Sequence, residues 1–142
     1  MRTYYLILGK YGVYLRFGQL VIIPNGIRLF VEKCGLEWKA TELLTGMGVP
    51  LPPAVRDTLH ATLDELGMLQ AYIYNSVRGI FSSDSISRLK PIMTSRGWPE
   101  DELLDICDYA KRDNSALFLD EYRRLCEDAL EQGKAYGKAE EE

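Results

Sequence analysis

Residues 3–32 read TYYLILGKYGVYLRFGQLVIIPNGIRLFVE. Three dipeptides with turn chemistry, Gly9-Lys10, Gly18-Gln19 and Asn25-Gly26, cut this stretch into short apolar runs, which is the spacing of successive β-hairpins. Asn-Gly suits a turn with both central residues at positive φ, and Gly-X suits one where only the first is. The reading predicts a four-stranded antiparallel meander over about residues 3–32.

Register follows from those turns. A loop at Asn25-Gly26 sets Ile22 opposite Leu29 and Leu20 opposite Val31. A loop at Gly18-Gln19 sets Leu15 opposite Ile22 and Phe17 opposite Leu20. A loop at Gly9-Lys10 sets Leu6 opposite Val13 and Tyr4 opposite Leu15. All three turns then place apolar side chains on one inward face. The other face carries Thr3, Tyr5, Ile7, Tyr14, Arg16, Val21, Ile23, Arg28 and Phe30. It is either a stacking platform for single-stranded nucleic acid or a surface covered by a helix or a second copy of the chain.

Beyond the meander the apolar spacing turns helical. Ala40, Leu43, Leu44 and Met47 predict a short helix over 36–46, closed by Gly46 and Gly48. Val49-Pro50-Leu51-Pro52-Pro53 is a stiff connector. From Val55 to Ile80, steps of three and four predict an amphipathic helix of about 26 residues, about 39 Å long, with Gly67 and Gly79 as the places for a break. A short helix through Ile86 and Met93 contains Pro91. Pro99 followed by Glu100, Asp101 and Glu102 starts another, because proline suits the first turn and acids suit the positive dipole end. Asp113-Asn114-Ser115 is the next break, and Leu117, Phe118, Tyr122 and Leu125 define a last helix ending near Gly133. The expected fold class is thus α+β, the meander followed by four to five helices, the last two an acidic helical hairpin. Residues 1–133 are read as one domain and 134–142 as a flexible acidic tail.

Charge is segregated along the chain. Residues 1–98 hold 11 Lys and Arg against 7 Asp and Glu, whereas residues 99–142 hold 6 against 14. The first thirty-one residues contain no acid at all. No apolar run approaches the roughly 20 residues of a membrane-spanning helix, and no signal peptide is evident, so a soluble, cytoplasmic chain is expected. Cys34, Cys107 and Cys126 have neither framework nor zinc-knuckle spacing and are expected to be reduced.

Catalytic motifs are sparse. The single histidine, His60, has Asp57 and Asp64 at helical spacing, an arrangement that permits a metal ligand or an oriented base but is ordinary on an exposed helix. No phosphate loop is present, since Gly9-Lys10-Tyr11-Gly12 lacks both the spacing and the following helix. Asp101, Asp105 and Asp108 recur at i, i+4 and i+7 and form an acidic stripe. Such a stripe suits either solvation or docking on a basic partner.

These features favour a non-catalytic protein-interaction or regulatory module, an inhibitor among the options, that docks its acidic hairpin on a basic, nucleic-acid-binding protein. No cofactor or metal is expected. The alternative is single-stranded nucleic-acid binding through Tyr5, Tyr14, Arg16, Arg28 and Phe30, which the net charge of −4 opposes. A metal-dependent hydrolase using the aspartates ranks third. Self-association through the sheet is compatible with each.

Overall fold

The structure, a computed structural model, describes the backbone of residues 2–9, 12–95, 98–132 and 138–141 and the side chains of residues 16–95 and 98–127. It is α+β, an antiparallel sheet followed by five α-helices among the described residues. Strands β1 (Arg2–Gly9), β2 (Gly12–Ile22), β3 (Arg28–Cys34) and β4 (Glu37–Glu42) follow one another. The fifth, β5 (Lys138–Glu141), pairs with Arg2–Tyr5 at the far edge, giving the order β4-β3-β2-β1-β5. Part of the expected flexible tail is therefore a strand.

The meander differs from expectation at each turn. Residues 3–32 hold three strands, because Gly18-Gln19 does not turn the chain: β2 runs straight through it and changes partner there. Gly12–Gly18 pair with β1, and Gln19–Ile22 pair with β3. Glycine is needed at the crossover because a Cβ on Gly18 would lie 2.5 Å from the Val31 carbonyl oxygen and 2.8 Å from the Phe30 ring. At the β1–β2 end Gly9 faces Gly12, so the connection is Lys10-Tyr11, which lie outside the described residues. Leu6 therefore faces Leu15 and Tyr4 faces Phe17, two positions from the expected register. A shift of two leaves the side-chain alternation of this hairpin intact.

The β2–β3 connection shifts the register by one. Pro24 and Asn25 occupy the middle of a turn in which the Gly26 N–H donates to the Ile23 carbonyl (2.8 Å), and the Ile23 N–H donates to Ile27 (3.1 Å). Five residues thus replace two, Ile22 faces Arg28, and Val21 faces Leu29. Leu20 and Ile22 move to the face of Phe30. All five residues Arg28–Glu32 are buried, as suits a central strand covered on both faces. Leu29, Phe30 and Val31 are each fully buried, contributing about 1.5–3 kcal/mol apiece.

The expected helix over 36–46 is strand β4 instead. Gly35, at φ +64°, closes the tight turn that brings Glu37 opposite Cys34, and Trp38, Ala40 and Glu42 then alternate with Glu37, Lys39 and Thr41. At the end of β4 a carboxylate enters the core. Glu42 is fully buried and accepts hydrogen bonds from the Leu44 N–H (2.6 Å), the Thr45 N–H (2.8 Å), the Thr45 hydroxyl and the Tyr122 hydroxyl (2.6 Å). Burial pushes its carboxyl above the usual glutamate value, and these four donors pull the other way. Tyr122 also accepts from the Arg28 N–H at 3.1 Å, so one hydroxyl ties β3, β4 and the last helix together.

The expected helix from Val55 to Ile80 is broken. A 3-10 turn (Pro53–Val55) precedes α1 (Leu59–Met68), capped by the Thr58 hydroxyl, and α2 (Gln70–Ser82) follows after Leu69. The break falls two residues beyond Gly67, where the Asn25 side chain donates to the Gln70 carbonyl at 2.9 Å. α3 (Ile86–Ser95) contains Pro91, and α4 (Glu100–Lys111) and α5 (Ser115–Gln132) complete the chain of helices. Phe118 of α5 sits edge-on to Tyr74 (5.8 Å) and Phe81 (5.7 Å) of α2. No helix among the described residues is long and apolar enough to cross a membrane.

Candidate functional site: the acidic face of the α4–α5 hairpin

Pro99 stands at the N-cap of α4, and Glu100, Asp101 and Glu102 fill its first turn, where the helix dipole favours negative charge. Leu103, Ile106, Cys107 and Ala110 bury one side of α4, and Phe118, Tyr122, Leu125 and Cys126 bury one side of α5. The connection is short, with Asp113 at φ +54°. Arg78 of α2 fixes its far end: Nη1 donates to the Ala110 carbonyl (3.0 Å), and Nε lies 3.4 Å from the Asp113 carboxylate. A cation on the last carbonyls of α4 suits the negative dipole end.

This packing sorts the acidic stripe. Asp101, Asp105 and Asp108 are all exposed. Asp108 pairs with Arg112 on its own helix at 3.2 Å. Asp105 belongs to a different group, centred on Glu121 of α5. Glu121 is only 4% exposed, yet its single cationic partner among the described residues is Arg124, at 3.1 Å. Its carboxyl is pushed above the ordinary glutamate range, first by burial and then, against the pull of Arg124, by the negative charges of Glu102, Asp105 and Asp120. Glu102 Oε2 and Glu121 Oε1 are both buried without a hydrogen-bond donor among the described residues. Residues 100–127 hold nine acids and four bases. Asp120 and Glu127 share Arg123, at 3.4 and 3.0 Å.

Glu102 and Glu121 are the residues that spacing within one helix does not disclose. The charges of Glu102 and Asp105 on α4 act on Glu121 of α5 only because the two helices pack together. The adjacency of Glu121 to the buried Tyr122 is the one local hint.

Two of the residues assigned to the nucleic-acid face are buried. Phe30 is fully buried, and Arg28 is 6% exposed, donating to the Gly26 carbonyl and lying 3.3 Å from Glu127. Arg16 is bound to the buried Glu32 at 3.1 Å and lies over the Phe30 ring. The side chains of Tyr5 and Tyr14 lie outside the described residues. The histidine constellation also separates: Asp57 precedes the Thr58 cap and is not on α1, while His60, 90% exposed, lies 3.3 Å from Asp64. Cys107 and Cys126 are buried and Cys34 is half-buried. Among the described residues no three His, Cys, Asp or Glu side chains are arranged to hold a metal ion.

Comparison of the chain with protein families, with curated proteins and with solved structures finds no match.

Proposed function

We propose that the chain is a non-catalytic protein-interaction module that sets the acidic face of α4 and α5 on a basic surface of another protein. The observation that carries this reading is the setting of Glu121, 4% exposed, with Oε1 buried and without a hydrogen-bond donor among the described residues, answered by one arginine and acted on by the negative charges of Glu102, Asp105 and Asp120. Like charges gathered in this way cost stability in the free protein, and a cationic surface laid over them removes that cost as it binds. Asp105 of this cluster and Asp101, one turn before it on α4, are exposed, extend the field outward and steer a basic partner before contact. A nucleic-acid-binding protein is the partner class whose surface charge fits best, and covering that surface would make the chain its inhibitor.

Amide chemical-shift mapping tests the reading, with a lysine- and arginine-rich helical peptide as the basic probe. The expected shifts cluster on Glu102, Asp105, Asp120 and Glu121 and shrink as salt is raised. Shifts spread evenly over all exposed acids, or concentrated on β2 and β3, would overturn it. A parallel titration with a mixed-sequence single-stranded oligonucleotide is expected to shift nothing.

A further inference from the structure

Away from the hairpin, the change of partner along β2 opens the sheet. Past the Gln19–Val31 pair, β2 continues with β1 and β3 continues with β4, so the two central strands part. The open crevice between them has a volume of about 550 Å³ and is lined by Arg16, Phe17, Gly18 and Gln19 of β2, Val31, Glu32 and Lys33 of β3, Trp38 of β4 and Leu59 of α1. That volume falls in the range of small-molecule sites, roughly 300–1,000 Å³.

The lining has a definite chemistry. Phe17, 46% exposed, and the half-buried Trp38 and Leu59 offer aromatic and aliphatic surface. Arg16 and Glu32 answer each other across the wall at 3.1 Å and leave it polar but nearly neutral. Lys33 decides the net charge. Its ammonium lies 6.0 Å from the centre of the Trp38 ring, with no carboxylate in ion-pair range among the described residues. A strongly hydrated cation held beside an apolar cavity is a point anchor for one negative group. We propose that this crevice binds a small monoanion with an aromatic or branched apolar body, the body against Phe17, Trp38 and Leu59 and the charge on Lys33. Gly18 keeps the crevice in place, because it alone lets β2 pass close enough to Val31 to part from β3 beyond it. This proposal is independent of the acidic face.

Anilinonaphthalene sulfonate, an aromatic monoanion, is the probe, and Trp38, on the crevice wall, is the reporter, while the second tryptophan, Trp98, is buried in the core and supplies a constant background. Titration into the intact chain is expected to quench tryptophan emission saturably with one probe per chain, and to shift the Gln19 and Lys33 amides and the Trp38 indole. Lys33→Met, on an exposed side chain that no part of the core rests on, is expected to weaken binding at least tenfold with an unchanged melting curve, and Lys33→Arg to retain it. Phenylnaphthylamine, which lacks the sulfonate, is expected to bind at least tenfold more weakly than the anion. Equal affinities for the two probes, or for wild type and Lys33→Met, would overturn the anion assignment. Unsaturable binding, or shifts elsewhere in the chain, would overturn the site itself.

Discussion

Replacing Tyr122 by Phe removes a single oxygen from the core and leaves the ring, whose neighbour Phe118 lies 6.4 Å away, in place. That oxygen serves two buried groups at once. It donates to the Glu42 carboxylate at 2.6 Å and accepts from the Arg28 N–H at 3.1 Å. A hydrogen bond to a charged group contributes about 1.5–3 kcal/mol, and a buried N–H left without an acceptor costs about 1–3 kcal/mol. Because the two losses share one site and relax together, the expected destabilisation is about 3–4 kcal/mol. In a chain of this size that lowers Tm by about 10 °C. Urea denaturation at neutral pH measures it as a fall in midpoint with an unchanged slope. The deficit should also depend on pH. Burial raises the Glu42 carboxyl above its unfolded value, so its contribution to stability is complete below the unfolded value and is lost as pH rises through the folded one. Removing the Tyr122 donor raises the folded value further, and the variant should therefore lose more at pH 8 than at pH 5. A loss below about 1 kcal/mol, or one independent of pH, would refute the claim that this hydroxyl joins the sheet to α5.

Gly18→Ala places a methyl 2.5 Å from the Val31 carbonyl, a backbone atom that moves only if β3 moves, and should cost about 3 kcal/mol by urea denaturation. Glu121→Gln removes a carboxyl that burial and its acidic neighbours hold above the usual range. The ionised form is the costly one, so the variant should melt higher than wild type at pH 8 and at the same temperature below pH 4, a difference that calorimetry reads directly. Arg78→Ala strips the cation from the last turn of α4 and the Asp113 bend, and should lower stability by about 1–2 kcal/mol while speeding amide hydrogen exchange at Asp113 and Asn114.

The parts of the fold that the sequence discloses are those set by neighbours along the chain. The apolar run at Leu29-Phe30-Val31 marks a strand, the Pro99 and acid signature marks the start of α4, and the Asp113-Asn114-Ser115 break marks the hairpin. Gly18 misleads because glycine serves a turn and a close backbone approach equally well. Only the position of Phe30 and the Val31 carbonyl, from another strand, decides between them. Residues 37–42 mislead because Ala40, Leu43 and Leu44 fit a helical period that the turn at Gly35 overrides. The contact between Glu42 and Tyr122 spans 80 positions and has no local signature. Asp105 is visible as part of a stripe, whereas its grouping with Glu102, Asp120 and Glu121 depends on how two helices are rotated against each other. The crevice beside Lys33 follows from the partner change at Gly18 and is invisible to any reading that places a turn there.

The acidic face of α4 and α5, rather than negative charge in general, is proposed to receive the basic partner. Isothermal titration calorimetry with the lysine- and arginine-rich peptide tests it on three proteins: wild type, Asp101→Asn/Asp105→Asn/Glu121→Gln, and a charge-matched control, Asp57→Asn/Asp64→Asn/Asp84→Asn, altered at exposed acids elsewhere. One peptide per chain is expected, with affinity that falls with salt, a loss of at least tenfold in the hairpin variant and little change in the control. Equal losses in the two variants, or none in either, would contradict it.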